Sequence, residues 1–274
     1  MSRLLSITCV MLILLSLSSP AAMSQSAEAT SNILFRVVMV RSHFDQGSMF
    51  SIDVDQREYW ITAKHILTGA LHPPYGSLTT KTVTLSILDP SSKEERWLPE
   101  KFSVIDPGND VDIVVLAPPR PILTDPLPSL PATSEGEQLG GDCEFLGFPF
   151  GEVWQAKFNS GESYRMPFIK HCTASGLITI PLRFWVLDGI NNAGFSGGPV
   201  VFLTGPAQKI MAVISGYQTE PSAVMPAKKP KGSARPALPK EIVNVNSGFI
   251  IAFDISYAVE AIKKNPIGPL RKAK

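Results

Sequence analysis

From Ile33 onward, short apolar or alternating runs are separated by turn-forming residues. ILFRVVMV at 33–40, SMFSIDV at 48–54, EYWITA at 58–63 and KTVTLSIL at 81–88 follow one another, and DVDIVVLA at 110–117 closes this half. Runs of this length, rich in β-branched and aromatic residues and bounded by Gly, Pro, Asn and Asp, predict strands. The second half resumes with CEFLGFPFG at 143–151, HCTASGLITI at 171–180, RFWVLDG at 183–189, GGPVVFL at 197–203, KIMAVISGY at 209–217 and NSGFIIAF at 246–253. A helical period occurs in ISYAVEAIKKN at 255–265, with Asp254 or Ser256 available as N-cap. The pattern is that of an all-β protein with a short C-terminal helix.

Three stretches fall outside this pattern. Residues 118–137, PPRPILTDPLPSLPATSEGE, hold too many prolines for a central strand and read as a linker between the halves. Residues 220–240 are rich in Pro, Lys and Ala and nearly free of large apolar groups, which predicts a solvated loop. Residues 1–26 begin with Arg3, continue as an apolar run from Leu4 to about Leu17 and end in small residues, the pattern of a signal peptide cleaved between Ala22 and Ser26. A retained anchor is the alternative, but Ser6, Thr8 and Ser16 interrupt the run, which is short for a span of about 20 residues. The chain is therefore expected to be exported, periplasmic or secreted, and free of the membrane after cleavage.

Charge narrows the function classes. The formal charge is +1, with 25 basic against 24 acidic residues, and removal of Arg3 takes it to zero. No general basic field exists to collect nucleic acid, so a nucleic-acid partner is not expected. Of the three cysteines, Cys143 and Cys172 lie beyond the leader. An exported chain permits one disulfide between them, with two reduced, buried thiols as the alternative. Two cysteines and one adjacent histidine are too few for zinc, and neither metal nor cofactor is expected.

Gly194-Phe195-Ser196-Gly197-Gly198-Pro199 carries the chemistry. Glycines around a serine allow a sharp backbone path that exposes the hydroxyl and gathers amide N–H groups at one spot, which an acyl-transfer nucleophile needs. The stretch also fits the nucleophile elbow of an α/β-hydrolase. That fold places its histidine after the serine, whereas His43, His65, His72 and His171 all precede Ser196. Asp110 and Asp112 alternate to one face of the expected strand, so periodicity does not separate them as acids.

Thr62-Ala63-Lys64-His65 resembles the T-A-x-H signature of trypsin-like serine proteases, Asp112-Ile113-Val114-Val115-Leu116 resembles their D-I-A-x-L segment, and Ser196 sits in a loop similar to G-x-S-G-G-P. GSMFSIDVDQREYWITAKH at 47–65 and Leu187–Asn191 are similar to the strands approaching the histidine and the serine in bacterial members. The likeness covers about residues 33–263 and extends to the protease domain of the Deg/HtrA branch. After the helix too few residues remain for a PDZ module.

The resemblance implies two six-stranded antiparallel β-barrels, 33–117 and 138–254, followed by the helix at 255–265 and a tail at 266–274. It implies a serine endopeptidase that hydrolyses polypeptides through an acyl-enzyme. His65, Asp112 and Ser196 would be the catalytic residues, and the N–H groups of Gly194 and Ser196 the oxyanion hole. The positions similar to the primary pocket, Gly189, Ile190, Asn191, Ser215, Tyr217 and Gly248, include no acid, which implies an apolar P1 residue. Phe195 replaces the aspartate that orders the oxyanion loop of digestive members after N-terminal cleavage, so no such activation step is expected. The rival reading from another class is a proteolytically silent binding or regulatory module on the same fold.

Overall fold

A computed structural model describes residues 29–123, 127–157, 161, 163–205, 207–224 and 241–271. The expected signal peptide, most of the Pro/Lys-rich loop and the last three residues of the tail lie outside the described residues. After a one-turn helix α1 (Ser31–Leu34), strands β1 (Val37–Arg41), β2 (Gln46–Val54), β3 (Arg57–Thr62), β4 (Thr82–Leu88), β5 (Trp97–Ile105) and β6 (Val114–Ala117) close into a barrel in the order β1-β2-β3-β6-β5-β4. A short helix α2 (Lys64–Thr68) follows β3. The second closed barrel has the order β10-β11-β14-β13-β12-β7, with β7 (Asp142–Gly147), β10 (Phe168–Ile178), β11 (Phe184–Asp188), β12 (Pro199–Thr204), β13 (Ala207–Val224) and β14 (Glu241–Asp254). Between β7 and β10 a hairpin of β8 (Trp154–Lys157) and β9 (Ser163–Met166) stands apart as its own sheet. Helix α3 (Ser256–Lys264) comes last, with the Asp254 carboxylate accepting the Ser256 N–H at 3.0 Å.

The unbroken apolar run of β1 has a simple cause. Val38 and Val40 pack into the interior of the first barrel with Met49, Trp60 and Phe102, while Val37 and Met39 face a second apolar cluster. That cluster draws Leu146, Val201, Val213 and Phe253 from the second barrel and Ala258 and Ile262 from α3. A strand buried on both faces loses the polar alternation of a half-exposed one. The barrels thus share one hydrophobic seam.

Several elements depart from the sequence expectation. β5 and the β8–β9 hairpin escape the pattern, because Pro99, Glu100 and Lys101 break the apolar rhythm of β5 and Trp154–Lys157 bury no side chain fully. Pro99 pairs with Ser86 of β4 near the start of β5, before β6 joins at Ser103, so its missing N–H falls where only one neighbour is present. β6 starts at Val114, leaving Asp110 and Asp112 ahead of the strand. The expected loop at 220–240 begins later: β13 continues to Val224, paired with Glu241–Asn246 of β14 as an exposed two-stranded arm.

Candidate active site

Three elements deliver the residues picked out by sequence. His65 lies in α2 directly after β3, where the Ala63 carbonyl accepts the Ile66 N–H and the helix stops at Gly69 in the left-handed region, φ +73°. Asp112 comes from the segment before β6 and has no solvent exposure, whereas Asp110 is exposed. Asp112 Oδ1 accepts the His65 main-chain N–H at 2.8 Å, and Oδ2 lies 2.7 Å from His65 Nδ1. The choice that periodicity left open between the two aspartates is therefore made by burial.

Ser215 has a different place from the one expected. Rather than only walling a pocket, its buried hydroxyl donates to Asp112 Oδ2 at 2.5 Å, and its carbonyl accepts the Ser196 Oγ hydrogen at 3.3 Å. In this rotamer Ser196 makes no hydrogen bond to His65 among the described residues. Burial pushes the phenol of neighbouring Tyr75 up, with the Asp112 charge acting in the same direction against an interaction with the Ser215 side chain. The phenol therefore stays neutral beside the carboxylate.

The loop before and after Ser196 has nearly all its main-chain carbonyls committed. The Asn191 carbonyl accepts Asn246 Nδ2–H at 2.7 Å and that of Asn192 the Phe195 N–H at 3.3 Å. The Ala193 carbonyl accepts the Phe150 N–H at 2.7 Å, and the Gly194 carbonyl the Ser48 hydroxyl at 2.7 Å. Those of Phe195 and Ser196 accept the N–H groups of Gly198 and Ser48, each at 2.8 Å. The Gly197 N–H is taken by Ile214 at 2.7 Å. Within 194–198 the N–H groups of Gly194 and Ser196 find no protein acceptor among the described residues. Gly194 has φ +101°, and a Cβ there would meet the Phe148 carbonyl at 2.1 Å; a Cβ on Gly197 would meet the Ser48 carbonyl and Thr62 Oγ1 at 2.3 Å. Glycine at these positions follows from the close approach of the loop to both barrels.

Of the remaining positions expected to line a pocket, Ile190 and Tyr217 are 52% and 42% exposed. The Gly248 carbonyl accepts the Gly189 N–H at 2.9 Å, which ties the two segments together. Lys170, which no sequence signal singled out, donates from Nζ to the Ile190 carbonyl and, at 2.8 Å, to Asn192 Oδ1, bracing the 190–192 segment. Partial burial lowers its pKa. Ser48 and Phe150 were missed as well, although Ser48 falls in the Gly-Ser stretch that carried the resemblance.

The remaining expectations concern the cysteines and a metal. Cys143 and Cys172 sit opposite each other on β7 and β10, both buried, with sulfurs 2.7 Å apart, so the fold brings together the two cysteines that the sequence pairs. Among the described residues no three His, Cys, Asp or Glu side chains are grouped to hold a metal ion.

Two closed six-stranded barrels with histidine and aspartate on one and serine on the other define the architecture. The fold is that of the trypsin-like serine proteases. No protein-family model and no curated protein matches the chain. Solved structures similar to it include the HtrA-type protease AlgW with a tripeptide, at 18% identity and a TM-score of 0.49, covering 85% of this chain and 61% of that one. The thermostable serine protease AL20 from an extremophilic microorganism follows at 14% identity and TM-score 0.48, covering 82% and 94%. The active form of the Rv3671c protease from M. tuberculosis has 17% identity and TM-score 0.47, covering 87% and 83%.

Proposed function

We propose that this chain is an exported serine endopeptidase. The observation that carries the reading is the convergence of both barrels on one point: a fully buried Asp112 oriented on His65 by two contacts, facing a serine loop whose Gly194 and Ser196 N–H groups meet no protein acceptor among the described residues.

The steps follow from these positions. Rotation about χ1 frees Ser196 Oγ from the Ser215 carbonyl and brings it to His65 Nε2. Apo hydrogen bonds of this kind commonly tighten only when substrate binds. Asp112 holds the proton of His65 on Nδ1, which leaves Nε2 as the base. Oγ then attacks the peptide carbonyl, its proton passes to Nε2, and the oxyanion forms against the N–H groups of Gly194 and Ser196. The imidazolium returns that proton to the leaving amine as the C–N bond breaks, giving an acyl-enzyme. Water, deprotonated by the same histidine, releases the acid and restores the serine. Ile190 and Gly248 leave the pocket without charge, so a small or medium apolar P1 residue is preferred.

The test is labelling of the mature protein by a fluorophosphonate probe, with peptide mapping of the adduct. Stoichiometric modification at Ser196, lost in Ser196→Ala and His65→Ala, is the expected result. Peptide hydrolysis should fall by at least about 10⁴-fold in either variant. The present rotamer of Ser196 favours one competing reading, a silent binding module. A folded protein that neither labels nor cleaves any member of a peptide library would mean either that module or a collapsed, regulated site, and would turn the search to activators and partners. Export is checked separately by the N-terminus of the mature chain, expected between Ala22 and Ser26.

A further inference from the structure

A large aromatic residue stands in an unusual place. Phe150, in the 3-10 turn Pro149–Gly151 after β7, has φ +55° and ψ +19°, the left-handed region that a bulky side chain seldom adopts. Its ring is 72% exposed. Packing of the side chain therefore does not explain why the backbone accepts this conformation. Strain of this kind persists where the surroundings over-determine it, and it concentrates at functional sites.

What the conformation accomplishes is the aim of one N–H. Phe150 N donates to the Ala193 carbonyl at 2.7 Å. In a trans peptide the C=O and the following N–H point in opposite directions. Anchoring the Ala193 oxygen on the Phe150 side therefore turns the Gly194 N–H to the other side, where it meets no protein acceptor among the described residues. The next carbonyl, that of Gly194, is held as well by the Ser48 hydroxyl at 2.7 Å, and Ser48 Oγ in turn accepts the Phe148 N–H at 3.2 Å. With both carbonyls tied, a flip of the Ala193–Gly194 peptide would forfeit the Phe150 bond. The digestive-type aspartate that would otherwise order this loop is replaced by Phe195, which is buried against Phe145 with ring centroids 4.8 Å apart.

We infer that Phe150 is a positioning residue: its main-chain N–H, aimed by a left-handed backbone, holds the Ala193 carbonyl and so turns the Gly194 N–H into the oxyanion hole. The inference rests on the endopeptidase reading for its catalytic consequence, but the peptide orientation itself does not depend on that reading.

Three variants separate backbone from side chain. Phe150→Gly keeps the N–H and adopts positive φ freely; Phe150→Pro removes the N–H and fixes φ near −65°; Phe150→Val keeps the N–H but disfavours the left-handed region. Phe150→Pro should lose roughly 100-fold in kcat, the scale of one oxyanion donor, with KM within about threefold. Affinity for a tetrahedral peptide boronate should fall in parallel, measured below the Tm of Phe150→Pro, which drops because that variant loses a hydrogen bond and cannot adopt positive φ. Phe150→Val should lie between, and Phe150→Gly should recover turnover to within about threefold of the parent chain. A purely structural role would raise KM and would not track boronate affinity.

The second readout is independent of catalysis. The residual dipolar coupling of the ¹⁵N-labelled Gly194 N–H reports its direction, and it should change in Phe150→Pro but not in Phe150→Gly. An unchanged coupling and kcat in Phe150→Pro overturn the inference. So does an equal loss in Phe150→Gly, which would put the effect in the ring. If the parent protein neither labels nor cleaves, the endopeptidase reading fails, while the coupling still decides whether Phe150 sets the peptide.

Discussion

At the scale of single residues, a carboxylate without solvent needs its charge answered from inside the protein. Asp112 receives three hydrogen bonds, from the His65 main chain, His65 Nδ1 and the Ser215 hydroxyl. The two from His65 belong to the proposed base, so Ser215 is the donor that can be removed while that pairing remains. Hydrogen bonds to charged groups contribute roughly 1.5–3 kcal/mol. Ser215→Ala should therefore lower kcat/KM by about tenfold or more, with KM little changed, as steady-state kinetics on a peptide substrate will show. Ser215→Thr, which retains the hydroxyl, should recover part of the loss.

At the scale of elements, α2 is too short to be stable alone, and its placement depends on what lies beneath it. Lys64, next to the histidine, is fully buried and reaches from the helix to Asp106 Oδ1 at 2.5 Å and to the Gly108 carbonyl. Asp106 also accepts the N–H groups of Leu78 and Gly108. The segment that leads to Asp112 is thereby pinned to the element that carries His65. Breaking a buried pair by deleting one partner leaves the other charge uncompensated and typically costs about 3–5 kcal/mol. Asp106 retains two main-chain donors and partial exposure, so Lys64→Met should sit near the lower end, about 3 kcal/mol, measured by urea denaturation.

At the scale of the whole molecule, the shared seam and the C-terminal segment join the barrels. After α3 the chain returns to the first barrel, where the Pro269 carbonyl accepts the Glu58 N–H at 3.0 Å and the Gly268 N–H reaches the Tyr59 hydroxyl at 3.1 Å. Arg271 then lies 3.0 Å from Asp53 and 3.2 Å from Glu58, while Arg36 meets Asp53 at 2.9 Å. Arg271→Ala strips a buried glutamate of its countercharge and should lower stability by about 3 kcal/mol, visible as a drop in Tm with one transition retained for both barrels.

Acid and base act on this stability through two groups of opposite sign. Burial pushes the Glu137 carboxyl up to about 7, the Asp142 charge adding to it and a Gln138 main-chain hydrogen bond opposing. Between its ordinary value near ~4.3 and about 7 the folded protein holds a proton that the unfolded chain has released, so stability falls as pH rises. Glu137→Gln should flatten Tm against pH across that window. Burial pushes Asp254 up too, but hydrogen bonds from Ser256, Ser134 and Trp185 prevail and hold it below the usual carboxylate range. Its contribution is present above its unfolded value and is lost as pH falls through the folded one.

Much of this architecture could be read from the order of the residues. Short apolar runs predict strands wherever burial imposes them, as in β1–β4, β7 and β10–β14, and a glycine-flanked serine after a histidine and an aspartate marks a local constellation that sequence records directly. Elements whose side chains remain half exposed, β5 and the β8–β9 hairpin, impose no such pattern and could not be read. Nor could choices that depend on partners far along the chain. Burial chose Asp112 over Asp110, and the crossing of β13 gave Ser215 to Asp112. The oxyanion loop is the clearest case, because its conformation is held by Ser48 and Phe150, distant in sequence and acting largely through main-chain groups. A main-chain N–H is common to every residue but proline, so only the tertiary structure can say where it points.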